Sequence, residues 1–236
     1  MHRVPERVAA GEAALRERGW LAQMPPAFQD AILGIGIWKS AQPGDTFIHA
    51  GDADGGLLAI AAGTAAVSME AGHPDTRFVH LVHAGFWAGF RPLLGGSRNI
   101  SLEAQTPTLW LLVPKQATER LLHEQPAFWR HIAHLVNSAY EISVSVMVDL
   151  TRQNGQTRVA GTLLRIAGCR FENPRPGDDT EIRVPQSEIA AASVMSRNTL
   201  GTYLADLASM GLIEIGYRSI RIKDPGGLRA LMDLEE

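Results

Sequence analysis

The chain is short of cysteine, of charge excess and of long apolar runs, and each shortage narrows what it can be. A single cysteine, Cys169, in 236 residues excludes an intramolecular disulfide and any cysteine-based metal or iron–sulfur centre. That usage suits a reducing compartment, and Cys169 reads as a core residue beside Leu163, Leu164 and Ile166. Net charge is −3 at pH 7, so no global basic field advertises a nucleic-acid partner. Residues 151–236 carry 11 Lys/Arg against 11 Asp/Glu, and the first 150 carry 11 against 14. Between Arg183 and Lys223 five basic residues face three acidic ones. Any affinity for a polyanion would therefore rest on a few placed cations rather than on bulk charge. The most apolar stretch, Leu57–Met69, is too short to span a bilayer and contains Gly and Thr. Arg3, Arg7, Arg16 and Arg18 alternate with Glu6, Glu12 and Glu17 near the start, which no signal peptide would tolerate. A soluble, cytoplasmic protein with no membrane partner is expected.

What is present is organised in blocks. Val4–Arg18 and Pro26–Leu33 read as helices. From Ser40 to Val113, glycines at 44, 51, 55, 56, 63, 72, 85, 89, 95 and 96 punctuate short runs rich in Val, Ile, Leu and aromatics. These are Thr46–His49, Leu57–Ala61, Ala65–Met69, Phe78–Val82, Ile100–Ala104 and Leu109–Val113, a pattern of short strands that suggests a β-barrel or roll. After Pro114, Lys115–His123 reads as a short helix. From Pro126 to Gln153 the periodicity stays helical, with Phe128, Ile132, Leu135, Ala139, Ile142 and Val146 stepping by four and three. A seam of that type pairs one helix with another. Thr151–Thr157 is polar, contains Gly155 and reads as a hinge. Arg158–Ala167 opens a second domain as a helix, Phe171–Thr180 with Pro174, Pro176 and Gly177 is a loop, and Leu228–Leu234 is a closing helix.

Gln186–Ile222 carries the most information. Ile189, Val194, Leu200, Leu204 and Leu207 can share one buried face, and Ser196 is a good N-cap for the second helix. Arg197, Asn198, Gly201, Thr202 and Ala205 then fall on the opposite face, which is small and polar with an Arg in its first turn. The DNA major groove accepts a helix of that shape. Gly201 in mid-helix costs about 1 kcal/mol against Ala, a cost that close approach to DNA or to another helix would explain. Gly211 closes the helix, and Ile213–Ile215 with Ile220–Ile222 bracket the turn Gly216–Ser219 as a wing.

This segment resembles the winged helix-turn-helix of the Crp/Fnr superfamily of bacterial transcription regulators, through Gln186, Glu188, Ile189 and Ala190, then Ser196, Arg197, Thr199, Leu200, Leu204 and Leu207, and Gly211-Leu212-Ile213. Upstream, Pro43-Gly44-Asp45, Gly51-Asp52, Gly63, Gly85, Gly89 and Arg98 are similar to the family's effector-binding β-roll. The resemblance implies an α+β fold: an N-terminal double-stranded, jelly-roll-like β-roll over 1–125, a dimerisation helix and hinge over 126–153, and a winged helix-turn-helix over 154–236. It implies a homodimer that binds double-stranded DNA, with the Phe128-to-Val146 seam as dimer interface. RNA polymerase and an unidentified small-molecule effector are candidate partners. Expected DNA contacts are Ser187, Ser196, Arg197, Asn198, Thr199, Gly201, Thr202 and Arg218.

The family's ligand cassette holds a cyclic nucleotide with a Gly-Glu pair and a following Arg. Here the matching run is Gly89-Phe90-Arg91 and then Arg98-Asn99-Ile100. Arg98 remains as an anion partner, whereas Phe90 replaces the ribose-binding Glu, so the pocket is expected at Gly89, Phe90, Arg98 and Asn99 and cyclic AMP is not expected as effector. The effector stays unidentified. All eight histidines precede residue 135. His80 and His83 face opposite sides of a strand, and His131 and His134 share a helix face without a third ligand at a recognisable spacing, so no metal, and no haem or iron–sulfur motif, is expected. Cupin-like β-barrel enzymes hold metal with a His-x-His pair, which is missing, as are Gly-x-Ser-x-Gly, a P-loop and a dinucleotide fingerprint; catalysis is not expected. The competing reading is a ligand-binding or protein-interaction module whose degenerate helix-turn-helix has lost DNA binding.

Overall fold

Strand β3 (Leu57–Ala62) is buried along its first five residues. A strand with both faces covered lies between two layers. The computed structural model, which describes residues 3–53, 55–69, 77–171, 173–174 and 180–233, supplies both. On one side Leu57, Ala59 and Ala61 join Leu109, Leu111 and Val113 of β8 (Thr108–Val113) in a core completed by helices. These are α1 (Arg3–Glu17), α2 (Gly19–Ala22), α3 (Pro26–Gly34) and α5 (Trp129–Thr151), which contribute Leu15, Trp20, Leu21, Phe28, Ile32, Ile132 and Leu135. Trp20 crosses Trp87 edge-on at 5.2 Å, Phe28 meets Phe128 at 5.1 Å, and Trp20 Nε1 donates to the His131 carbonyl at 3.0 Å.

On its other side β3 presents Leu58 and Ile60, in register with Leu112 and Trp110. Trp110 meets Phe47 of β2 (Thr46–Ile48) at 5.0 Å, so here the two sheets stack face to face. The first sheet runs β1 (Ile37–Ala41), β8, β3, β6 (Trp87–Ala88). The second runs β2, β7 (Ile100–Ala104), β4 (Ala65–Met69), β5 (Arg77–Val82). Their antiparallel registers put Val67 opposite Leu102 and Ala65 opposite Ala104 on the buried face. Helix α4 (Lys115–Glu124) follows β8. This is the β-roll expected from the sequence. Its strands β1 and β6 have no counterpart in the sequence reading, because β1 is largely exposed and contains Lys39, and a two-residue strand has no period to detect.

The chain divides into two compact units, Met1–Arg77 with Val82–Glu141, and Phe78–Leu81 with Ile142–Glu236. The second contains α6 (Gly155–Ile166), α7 (Gln186–Ala192), α8 (Arg197–Ser209) and α9 (Pro225–Asp233). Its sheet is ordered β10 (Ile213–Gly216), β11 (Ser219–Ile222), β9 (Glu181–Ile182). Val159, Leu163, Ile189, Leu200, Leu204, Leu207, Ile213, Ile220 and Leu228 are buried in it, each side chain stabilising the unit by about 1.5–3 kcal/mol. Asp149, at the end of α5, is buried and receives a two-pronged hydrogen bond from Arg170, at 2.8 and 3.1 Å.

The polar segment Thr151–Thr157, expected to be a hinge, carries a set of local hydrogen bonds. Asn154 caps α6 by accepting from Gln156 N, Thr157 donates to Asn154 O, Arg158 donates to Arg152 O, and Arg152 donates to Met232 O. Gly155 is buried beneath the Tyr203 ring. Glycine, Asn and Arg serve here as cap and clamp. Of the remaining sequence expectations, Gly72, Pro176, Gly177 and the end of the last helix at Leu234 lie outside the described residues.

Candidate nucleic-acid interface and effector pocket

Helix α7 ends where the chain must turn sharply to start α8. The Met195 N–H bonds back to Ala190 O at 3.0 Å, and Val194 between them sits at φ 54°. That left-handed helix-stop position ordinarily takes glycine. The conformation also corrects the sequence reading of Val194 as a member of the buried face: the side chain points outward and is 68% exposed. Ser196 Oγ then accepts from Thr199 N at 3.1 Å and lies 2.8 Å from the Thr199 hydroxyl, so both hydroxyls expected at DNA also build the cap that starts the helix.

From that start, Leu200, Leu204 and Leu207 point inward. Arg197, Asn198, Thr202, Ala205 and Asp206 are exposed on the opposite side. A Cβ at Gly201 would meet nothing within 4 Å, so no neighbour among the described residues accounts for this mid-helix glycine and the surface there is open. Gly211, at φ 74°, ends α8, and Leu212 N bonds to Leu207 O across the stop. The wing follows with Ile213 paired to Ile222 and Gly216 to Ser219, leaving Tyr217 and Arg218 as a two-residue tip. Arg218 is exposed at φ 54° and Tyr217 is almost wholly exposed. Ser187 is exposed in the first turn of α7. The structure thus gathers the exposed DNA-contact candidates onto one unit, on α7, α8 and the wing tip. Sequence reasoning overlooked Asp206 and Tyr217, which the outward phase of α8 and the register of the hairpin reveal.

The effector-pocket residues are placed differently. Gly89 adopts φ 89°, and a Cβ there would collide with Gly56 O and Arg98 Nη1. Arg98 is buried, donates Nη2 to Gly56 O at 2.8 Å, and leaves Nη1 without a partner among the described residues. Burial holds the Arg98 guanidinium below its ordinary pKa, opposed in part by Asp52. Asn99 is half-buried. Phe90 is half-buried. It packs with Trp87 against the helix-side core and caps a 3-10 turn, Arg91–Leu94. Glu103, a nearby carboxylate on β7, is exposed and accepts from Gln105 Nε2. It lies on the face of β7 opposite the buried Leu102 and Ala104.

The residues of the expected dimer seam are placed on helix α5 in two different settings. Ile132 and Leu135 are 1% and 2% exposed in the chain's own core, with Phe128 packed beside them, so no surface remains on them for a partner. Ile142 is exposed, and Ala139 and Val146 are half-buried. A second series lies one residue away. Trp129, Ala133, Val136, Tyr140, Ser143 and Met147 also step by four and three, with Tyr140 65% and Met147 58% exposed. His131 packs against Phe28 and Phe128, and its burial, followed by Arg130 and His134, lowers its pKa. Among the described residues no group of three His, Cys, Asp or Glu side chains could hold a metal ion, and no helix is long and apolar enough to cross a membrane.

Comparison with known proteins agrees with this architecture. Residues 38–125 match the cyclic nucleotide-binding domain and residues 157–231 the Crp-like helix-turn-helix domain. An HTH-type transcriptional regulator, Cmr, from Mycobacterium tuberculosis is 25% identical over 98% of this chain and 94% of its own length. The transcriptional regulator SdrP from Thermus thermophilus is 26% identical over 66% of this chain and 73% of its own. A solved Crp/Fnr-family regulator from Thermus thermophilus shares the fold with a TM-score of 0.60 at 22% identity, covering 84% of this chain and 98% of that one. Its relatives are transcription regulators and not enzymes. With both domain types present in order and relatives of that kind, the chain belongs to the Crp/Fnr superfamily and is a DNA-binding transcription regulator.

Proposed function

We propose that the protein acts as a homodimer that reads operator DNA through α8 and does not use cyclic AMP as its effector. In this reading 1–125 is the sensor, 126–153 the dimerisation helix and 154–236 the DNA-binding domain. The observation that carries it is the outward face of α8, where Arg197, Asn198 and Thr202 surround the open position at Gly201. Arg197 offers a bidentate fork to guanine O6 and N7, worth about 1–3 kcal/mol of discrimination per half-site. Ser187, Thr199 and Arg218 serve phosphates, and Asn198 suits adenine. The dimer pairs α5 with α5 through Trp129, Val136, Tyr140 and Met147, bringing two copies of α8 to two half-sites. Against cyclic AMP stand the absence of a carboxylate at position 90, the outward placement of Glu103, and the engagement of Arg98 by Gly56 O. RNA polymerase and an unidentified small molecule are the remaining partners, and the cytoplasm is the place of action.

The test compares wild type and Arg197→Ala on a duplex selected from a random pool and on unselected DNA. Arg197→Ala should reduce the preference for selected DNA, whereas Arg218→Ala should weaken both alike. A wild-type protein that shifts no duplex would favour the interaction-module reading instead.

A further inference from the structure

Gly155 is the first residue of α6, and its backbone is not left-handed. Nothing in its own conformation calls for glycine, and at such a position alanine ordinarily stabilises a helix. What calls for glycine is the room above it. A Cβ there would lie 2.5 Å from both Cε2 and the hydroxyl oxygen of Tyr203, and 2.6 Å from Cζ. Carbon atoms settle at about 3.5–4.0 Å, so one added methyl would push the ring, or the helix that carries it, by about 1 Å.

Tyr203 belongs to α8. It is half-buried, between the outward Thr202 and the inward Leu204 in sequence. The three leucines decide which side of α8 turns inward, but apolar burial is non-directional and resists sliding or turning only weakly. A flat ring seated on a glycine is a sharper stop. The same first turn of α6 also reaches the C-terminal end of α8, where Gln156 Nε2 approaches Met210 Sδ at 3.8 Å. That turn is itself held by the Asn154 cap and by the hydrogen bonds of Arg158 and Arg152. Helix α8 thus rests against the start of α6 at two places along its length.

We propose that Gly155 and Tyr203 are positioning residues for base reading: the ring seated on Gly155 sets the depth and rotation at which α8 presents Arg197, Asn198 and Thr202. The proposal rests on the DNA-reading assignment above, and neither residue of the pair is asked to touch DNA. Hydrogen bonds to base edges need donor and acceptor within about 2.7–3.2 Å, so a shift of about 1 Å removes them. Phosphate contacts from Ser187 and Arg218, carried on α7 and the wing, do not depend on the seat.

The test uses the full chain, a duplex that the wild type selects from a random pool, and unselected DNA. Gly155→Ala should lower the preference for the selected duplex roughly ten-fold, the scale of one bidentate base contact, and leave affinity for unselected DNA unchanged. With Tyr203→Leu already present, Gly155→Ala should cause no further loss, because the methyl then has room. Should Gly155→Ala fail to fold, Tyr203→Leu alone decides: an empty seat should lower the preference without changing binding to unselected DNA. A folded Gly155→Ala protein that keeps the wild-type preference, or loses it equally with and without Tyr203→Leu, would overturn the proposal, as would full preference in Tyr203→Leu. Equal weakening on both DNAs would reduce the pair to a structural contact and overturn it too. A wild-type protein that shifts no duplex would instead overturn the assignment on which the proposal rests.

Discussion

Two substitutions on α5, eight residues apart, should separate folding from dimerisation. Tyr140 is 65% exposed, so Tyr140→Glu replaces a surface group with a good helix former and should change the stability of a single chain by no more than about 0.5 kcal/mol. In a two-fold seam the same change brings two carboxylates together and removes both from water. Desolvation costs several kcal/mol per buried ion. Even if the side chains escape most of that, about 4 kcal/mol across the dimer raises the dissociation constant roughly a thousandfold. Ile132 is the converse case. It is 1% exposed within the chain's own core, and Ile132→Ala should cost about 2–5 kcal/mol of folding stability through reduced burial and the cavity left behind.

Sedimentation at micromolar concentration should therefore show Tyr140→Glu as a monomer with an unaltered unfolding transition, and Ile132→Ala as a dimer with a lowered one. Operator affinity should fall steeply for Tyr140→Glu, by about two powers of ten or more, because two half-sites are no longer engaged by one molecule. A Tyr140→Glu protein that remains a dimer under these conditions would refute the exposed seam. Monomeric Ile132→Ala with a normal melting transition would restore the seam to the face that the structure buries.

Calorimetry with cyclic AMP should register no heat at micromolar protein, and operator binding should not change with the nucleotide present. The ribose hydroxyl without its carboxylate leaves a polar group unpaired at about 1–3 kcal/mol, or roughly five- to 150-fold in affinity. Micromolar binding coupled to tighter DNA association would show that the pocket accepts the ligand by other means. Val194→Gly should stabilise the DNA-binding unit by about 0.5–1 kcal/mol, the difference between relief of left-handed backbone strain and the entropy that glycine adds to the unfolded chain. Scanning calorimetry should show a rise of roughly 2–8 °C in the transition of that unit, and a fall would mean that the exposed valine makes a compensating contact.

The sequence was legible wherever one residue type had one physical reason to be where it stands. Ser196 as a cap, Gly211 as a stop, and Leu200, Leu204 and Leu207 as an inward stripe each follow from local rules, and so did the strands punctuated by glycine. Which face of α5 turns inward was not legible, because the helix is apolar on two sides. Series beginning at Phe128 and at Trp129 both step by four and three, and only the packing of Ile132 and Leu135 in one core with Phe28 and Leu111 tells which faces inward. Val194 was misjudged for a related reason: its hydrophobicity suits a core, but it occupies a helix-stop position whose backbone turns any side chain outward. The composition of Thr151–Thr157 did not show that Asn154, Arg152 and Arg158 bond to backbone groups as cap and clamp.

Cys169 limits what this chain can sense through its own atoms. It is buried at the end of α6, where the Arg229 guanidinium donates to its carbonyl at 2.7 Å. Burial pushes its thiol up to about 11, with Arg229 pulling weakly the other way. At neutral pH roughly one molecule in ten thousand then carries the thiolate, the only form that attacks peroxides, disulfides or alkylating agents. Sulfur chemistry in the folded protein is therefore slowed twice, by scarcity of the reactive form and by lack of access. Oxidants that reach this position would meet a buried, almost wholly protonated thiol.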